Sequence, residues 1–302
     1  MTFTTQIKEE ITKEENNNIE DLTSLCTYLK FNATLEEDKM TVMVVNASVA
    51  RWIFKLLKTN YNVLIKLTTR TMKRFKARNL YILEVKEKLD LIYKDIDNIF
   101  KEISTSSDEE KKAFLKGMFL ACGSINDPKK NQYHLEFLVK EEEDAKLIDD
   151  LLNSLKIKSK VLKRDREYMV YVKSSENISD FIKYLGAFNA LFYFEDIRIY
   201  KDHKNMVNRL NNCEQANVER TLKSSKTILD NIKYLEDNDL TILLDDRSKE
   251  IIEYKKKYPD TSLGELADII TMETNKSITK SGINHHFRKI NALVKKAKEN
   301  HE

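Results

Sequence analysis

Cysteine, glycine and proline are all scarce in this chain of 302 residues, which holds three Cys, five Gly and two Pro. Cys26, Cys122 and Cys213 lie far apart, with no C-x-x-C pair and no Cys/His spacing, which argues against both a zinc site and a disulfide framework. No metal and no cofactor is expected. No apolar run approaches the roughly 18 residues that a membrane-spanning helix needs, so no membrane partner is expected either. The start, MTFTTQIKEEITKEE, has no basic segment leading into an apolar one, and a cytoplasmic protein is therefore expected. With so many Lys, Asn and Ile, the shortage of Gly and Pro reads as AT-rich codon usage and carries no functional signal.

A large net charge is missing as well, the total being only +3 at pH 7, but the charges are unevenly spread. Basic residues gather in residues 66–86, 158–173 and 280–298, while EEEDAKLIDD and LEDNDLTILLDD are acidic. Phosphate binding follows local potential, so a near-neutral chain with basic patches can still hold a polyanion. A hydrophobic content of 41% with 33% charged residues is that of an ordinary globular protein. Single cores stop growing near about 250 to 300 residues, so this length predicts two or three units.

A repeat emerges when two helical stretches are laid over one another. NASVARWIFKLLKTNYNVLIKL matches EEEDAKLIDDLLNSLKIKSKVL, with Ile53, Leu56 and Leu57 falling on Ile148, Leu151 and Leu152 at amphipathic-helix spacing. Strand-like runs, MTVMVV at 40–45 and YHLEFLV at 133–139, precede them. Hairpins follow: NVLIKLTTR and NLYILEV flank the tip TMKRFKAR, and KSKVL and EYMVYV flank KRDR. A further helix leads each copy, around DLTSLCTYLKF and EEKKAFLKGMFLAC, so a helix, hairpin, helix, hairpin order occurs twice. The candidate DNA-backbone residues are Lys66, Arg70, Lys73, Arg74, Lys76 and Arg78 in the first copy, and Lys160, Lys163, Arg164 and Arg166 in the second.

Beyond the repeat, RLNNCEQANVERTLKSSKTILDNIKYLE reads as a polar turn opening a long helix, with Asn217 as its cap. The last part is helical throughout, with a stop at Pro259, a Ser262 cap before LGELADII, and then TKSGINHHFRKINALVKKAK. Three helices with a short central turn are the pattern of a helix-turn-helix, in which LGELADII braces and KSGINHHFRKI reads the major groove. Ile283, Phe287 and Ile290 should pack inward, leaving Lys280, Ser281, Asn284, His285, Arg288 and Lys289 as DNA contacts beside Ser262, with Lys295 and Lys296 on the backbone. Adjacent His285 and His286 cannot share a helix face, so they are not read as metal ligands. The expected segments are residues 1–103 and 111–235 for the two copies, 236–246 for a linker and 247–302 for the DNA-binding tail.

LKGMFLACGS, residues 115–124, resembles the LAGLIDADG helix of homing endonucleases, two copies of which pack together and hold divalent metal on their penultimate acids. The resemblance puts Gly117, Ala121 and Gly123 on the small positions and Cys122 on the metal-binding acid. In the first copy LCTYLKFNAT puts Thr27 and Phe31 on small positions and Asn32 on the acid. Hard divalent cations need carboxylate oxygens, and neither an amide nor a thiol supplies them. The expected protein is therefore not an enzyme.

Nearly the whole chain, including FLKGMFLACGSINDPKKNQYHLEF, NRLNNCEQANVERT and ITKSGINHHFRKI, resembles the WhiA type of bacterial transcription regulators. That resemblance implies an α+β fold of duplicated LAGLIDADG-like α/β halves with pseudo-two-fold symmetry, followed by an all-α helix-turn-helix domain. It also implies sequence-specific binding of double-stranded DNA, in transcription control, cell division or chromosome segregation. Another regulator or RNA polymerase is a possible further partner, and a nucleoid-associated monomer is expected. Two other readings stay open: a metal-dependent endonuclease using acids such as Asp127 or Glu136, and a repeat domain that binds a protein or ligand with only the tail on DNA. The stretch NRLNNCEQAN receives no chemical role beyond a polar junction.

Overall fold

Thr2 opens the first helix, α1 (Phe3–Ile11), by accepting a hydrogen bond from the Thr5 N–H, and the one-turn spacing of Phe3, Ile7 and Ile11 buries a single face of it. The computed structural model describes residues 2–14, 17–72 and 78–299, with Met72 and Arg78 described by their backbone. The first half then runs α2 (Asn18–Asn32), β1 (Ala33–Leu35), β2 (Met40–Val44), α3 (Ala47–Tyr61), β3 (Ile65–Met72), β4 (Arg78–Val85) and α4 (Leu89–Glu102). After a 3-10 turn, Ile103–Thr105, the second half repeats the order as α5 (Asp108–Cys122), β5 (Gly123–Ile125), β6 (Leu135–Val139), α6 (Glu142–Ser154), β7 (Lys160–Lys163), β8 (Tyr168–Val172) and α7 (Ser175–Tyr184). Both four-stranded antiparallel sheets have the same order, β1-β2-β4-β3 and β5-β6-β8-β7.

Strand alternation explains which side each sheet buries. Met40, Val42 and Val44 on β2 and Leu135, Phe137 and Val139 on β6 are buried, while the residues between them face away from the helices. α3 and α6 cover the apolar faces with Ile53, Leu56 and Leu57 and with Ile148, Leu151 and Leu152, the residues matched between the copies. Both halves share one continuous hydrophobic cluster that runs from Phe3 to Phe194.

The chain forms two compact units, Met1–Asp202 and His203–Glu302. α8 (Phe188–Asp237) runs unbroken through NRLNNCEQAN, so Asn217 is an interior helical residue and caps nothing. No Gly or Pro interrupts residues 188–237, and hydroxyls such as that of Thr221 bond back to a carbonyl four residues earlier, here that of Asn217. The last turns of α8 bury Ile228, Ile232 and Leu235 in the core of the second unit. The expected linker is likewise structured: a 3-10 turn at Leu240–Leu243 precedes Leu244, which is buried in that same core. There follow α9 (Asp246–Lys257), α10 (Leu263–Thr274) and α11 (Lys280–Glu299).

Candidate nucleic-acid interface

α2 and α5 pack along each other because Gly117 has no side chain. A Cβ there would collide with the Ser24 carbonyl oxygen and stand 2.8 Å from the Thr27 Cβ. The buried hydroxyls at this contact are satisfied within their own helix, Ser24 donating to the Glu20 carbonyl at 2.6 Å and Thr27 to that of Thr23 at 2.7 Å. Phe31, too large for a small position, turns instead to Phe100 of α4, with ring centroids 5.7 Å apart. Phe100 in turn meets Phe114 at 4.9 Å, so the misfit is absorbed by an aromatic cluster beside the helix pair.

The acid positions of the resemblance fall on the C-terminal ends of the two helices. Asn32 donates to the Tyr28 hydroxyl at 2.7 Å, and Cys122 Sγ reaches the Met118 carbonyl at 3.4 Å. Sequence reasoning missed the cation beside Cys122. Lys8, from α1, donates to the Leu120 carbonyl at 3.1 Å and covers the Phe119 ring at 5.5 Å. Burial lowers its pKa to about 8, while the neighbouring Cys122 thiol pulls the other way. Burial drives the Cys122 thiol up to about 12. An amide, a protonated thiol and a fixed ammonium do not fit a divalent ion, and the described residues contain no cluster of three His, Cys, Asp or Glu able to hold one.

A chemical test follows from the thiols. At pH 8 a thiol with a pKa of about 12 is ionised in about one molecule in ten thousand. Cys26, also pushed to about 12 by burial, and Cys122 should resist iodoacetamide in the native protein, while exposed Cys213 reacts. Peptide mass spectrometry reads the order of labelling; early modification of Cys122 would show that this helix end is open.

Of the hairpin residues, Lys66, Arg70, Lys160, Lys163, Arg164 and Arg166 are exposed. Lys66 pairs with Glu84 across β3 and β4 at 3.2 Å, and Lys163 lies over the Tyr168 ring at 5.6 Å. Lys73, Arg74 and Lys76, with the Arg78 side chain, lie outside the described residues. The outward face of the second sheet is not uniformly basic. Glu136 stands there, accepting from Ser124 Oγ at 3.3 Å and within 3.1 Å of His134 Nε2. Asp127 instead receives the Lys129 N–H at 2.9 Å in a turn.

In the second unit Ser262 caps α10 in a reciprocal box with Glu265. Lys255 anchors the chain entering α10. Its fully buried ammonium donates to Ser225 Oγ on α8 and to the Thr261 carbonyl, both at 2.7 Å, and its pKa is lowered by desolvation. Asn275, at φ +54°, ends α10 and turns the chain toward α11. Ile283, Phe287, Ile290 and Val294 are buried. This fixes which residues face out: Lys280, Ser281, His285, Arg288, Lys289, Lys295 and Lys296 are exposed and Asn284 is half-buried. Ser281, His285 and Arg288 share one stripe. Lys289 faces α9, with Asp245 at 3.8 Å. His286 packs against α9, its Nδ1 2.8 Å from Ser248 Oγ, and burial lowers its pKa.

Paired helices between two α/β halves, followed by a braced helix-turn-helix, define a LAGLIDADG-like repeat domain joined to a helix-turn-helix module. Comparison with known sequences gives the family. The profiles of the WhiA N-terminal LAGLIDADG-like domain, the WhiA LAGLIDADG-like domain and the WhiA C-terminal HTH domain match residues 19–99, 111–204 and 207–294. The chain is 36% identical to the probable cell division protein WhiA of Oceanobacillus iheyensis, covering 99% of this chain and 98% of that protein. It is 37% identical to the protein of the same description from Bacillus cereus, over 98% and 97% of the two chains. The full-length WhiA of Thermotoga maritima has the same fold, with a TM-score of 0.59 at 22% identity over 98% of this chain and 99% of that one. This chain belongs to the WhiA family. The HTH match begins inside α8, in keeping with the part that helix plays in the second core.

Proposed function

We propose that this protein binds double-stranded DNA sequence-specifically without cutting it, as a cytoplasmic, nucleoid-associated regulator of transcription serving cell division and chromosome segregation. The observation that carries the reading is the stripe of Ser281, His285 and Arg288, held outward by the buried Ile283, Phe287 and Ile290. Arg and Ser on the N-terminal half of a braced helix are suited to base edges and phosphate. The acid positions of the resemblance, at the ends of α2 and α5, carry Asn32 and Cys122 in place of carboxylates, and the Lys8 ammonium of α1 stands beside Cys122. The names of the relatives, probable cell division proteins, support the cellular role.

Titration of the full chain with duplex DNA across salt concentrations, alongside supercoiled plasmid with Mg²⁺ or Mn²⁺, tests both parts. Binding should weaken steeply with salt as counterions are released, and the plasmid should stay supercoiled. Nicking lost on substitution of Asn32 or Cys122 would refute the non-cleaving reading. A second reading for the repeat domain is favoured by Glu136 on the outward face of the second sheet, which also carries exposed Leu162 on β7. An acid and an apolar side chain suit another regulator or RNA polymerase better than phosphate. Unchanged salt dependence when Lys160, Arg164 and Arg166 are all replaced would favour that reading.

A further inference from the structure

Lys116 lies one residue before the glycine of the helix contact, and its side chain is only 6% exposed. Its ammonium carries three N–H donors, none of which meets a hydrogen-bond acceptor among the described residues. The nearest opposite charge is Glu14 Oε2, 3.9 Å away, too far for a hydrogen bond. An ammonium buried without acceptors is among the costliest arrangements a fold can contain.

Lys116 lines a cavity of about 160 Å³ between α2, α5 and the end of α7, together with Lys112, Lys183, Glu14, Glu20 and Glu109. The acids of this wall are partly engaged. Glu20 accepts from Asn17 Nδ2 at 2.7 Å, and the Glu14 carboxylate rests against Gly186, at φ +77°, where any Cβ would collide with it. Lys112 lies over the Tyr184 ring at 5.1 Å, and neither it nor Lys183 has a side-chain hydrogen bond or ion pair with the described residues. The wall thus carries three ammonium groups and three carboxylates, and the Lys116 ammonium, ion-paired with Glu14 at 3.9 Å, makes no hydrogen bond with the described residues. Water-filled drug-type pockets run to several hundred Å³. This one admits only a small group.

We infer that the cavity is a binding site for a small oxyanion, a carboxylate or phosphate group, held by Lys116 at the bottom and by Lys112 and Lys183 at its mouth. The oxyanion supplies the lone pairs that the buried ammonium lacks, and it ties α5, through Lys112 and Lys116, to the end of α7 through Lys183. The site is independent of the DNA-binding reading.

Thermal unfolding of the full-length chain tests this, with inorganic phosphate and acetate as probes and potassium chloride at matched ionic strength as reference. A saturable rise of a few degrees in Tm is expected with one or both probes and not with chloride. A response to phosphate alone assigns a phosphoryl ligand, and a response to acetate a carboxylate. Lys116→Met should abolish the response. The double variant Lys112→Ala/Lys183→Ala, altering only rim residues, should weaken it several-fold with little change in the Tm without anion. Equal shifts with chloride, no shift with either probe, or an undiminished response in the rim variant would overturn the assignment.

Discussion

Gly117→Val should lower the stability of the repeat unit by about 3 kcal/mol or more, the upper end of what overpacked cores lose. The effect is large because the new Cβ meets backbone. The Ser24 carbonyl oxygen and the Thr27 Cβ belong to a helix that is itself held by Leu25, Cys26, Tyr28 and Leu29, all fully or almost fully buried. No rotamer change relieves such a collision, so α2 and α5 must separate and disturb the cluster that both halves share. At about 2–4 °C per kcal/mol for a unit of this size, the melting temperature should fall by about 10 °C. Gly264→Ala is the matching control. Its Cβ would meet only Ser262 Oγ, at 3.8 Å, and alanine favours a helix, so no loss is expected. Circular dichroism melts of both variants decide the matter; a Gly117→Val protein that melts with the wild type would show that the helix contact is not tight.

Gly117 also shows what the sequence reveals and what it hides. The duplication is legible because Ile53, Leu56 and Leu57 and their counterparts Ile148, Leu151 and Leu152 obey one periodicity and cover equivalent sheets. Ser262 and its Glu265 partner mark the start of α10 by local chemistry alone. β1 and β5, three residues each, have no pattern long enough to recognise. The continuity of α8 escapes for a different reason. Asn-rich polar sequence resembles a turn, and it stays helical because residues 188–237 contain no breaker and both ends of the helix are buried in cores. Lys8 and Lys116 are the hardest to foresee. Each acquires its setting from contacts between elements distant in sequence, Lys8 with Leu120 and Lys116 with Glu14, and their own neighbours in the chain give no sign of burial.

Arg288→Ala should weaken binding to the preferred DNA site by about 10- to 100-fold, corresponding to the roughly 1–3 kcal/mol of a bidentate base contact, and should broaden the set of accepted sequences. Arg288 follows the buried Phe287 and lies three residues after His285 on the exposed stripe, so its direction is set by the core. No hydrogen bond or ion pair with the described residues engages its guanidinium, which leaves all five donors for a ligand. Lys289, one residue on, differs in just this respect, being directed to Asp245. Lys295→Ala is the informative comparison. It lies two turns further along the same exposed side and should act on phosphate, weakening all sequences alike and reducing the salt slope by about one. Sequence selection from random duplexes, run with the wild type and both variants, separates the two roles. Should the Arg288→Ala profile keep the wild-type preference while that of Lys295→Ala loses it, base recognition would belong to the C-terminal part of α11 and the assigned stripe would be wrong.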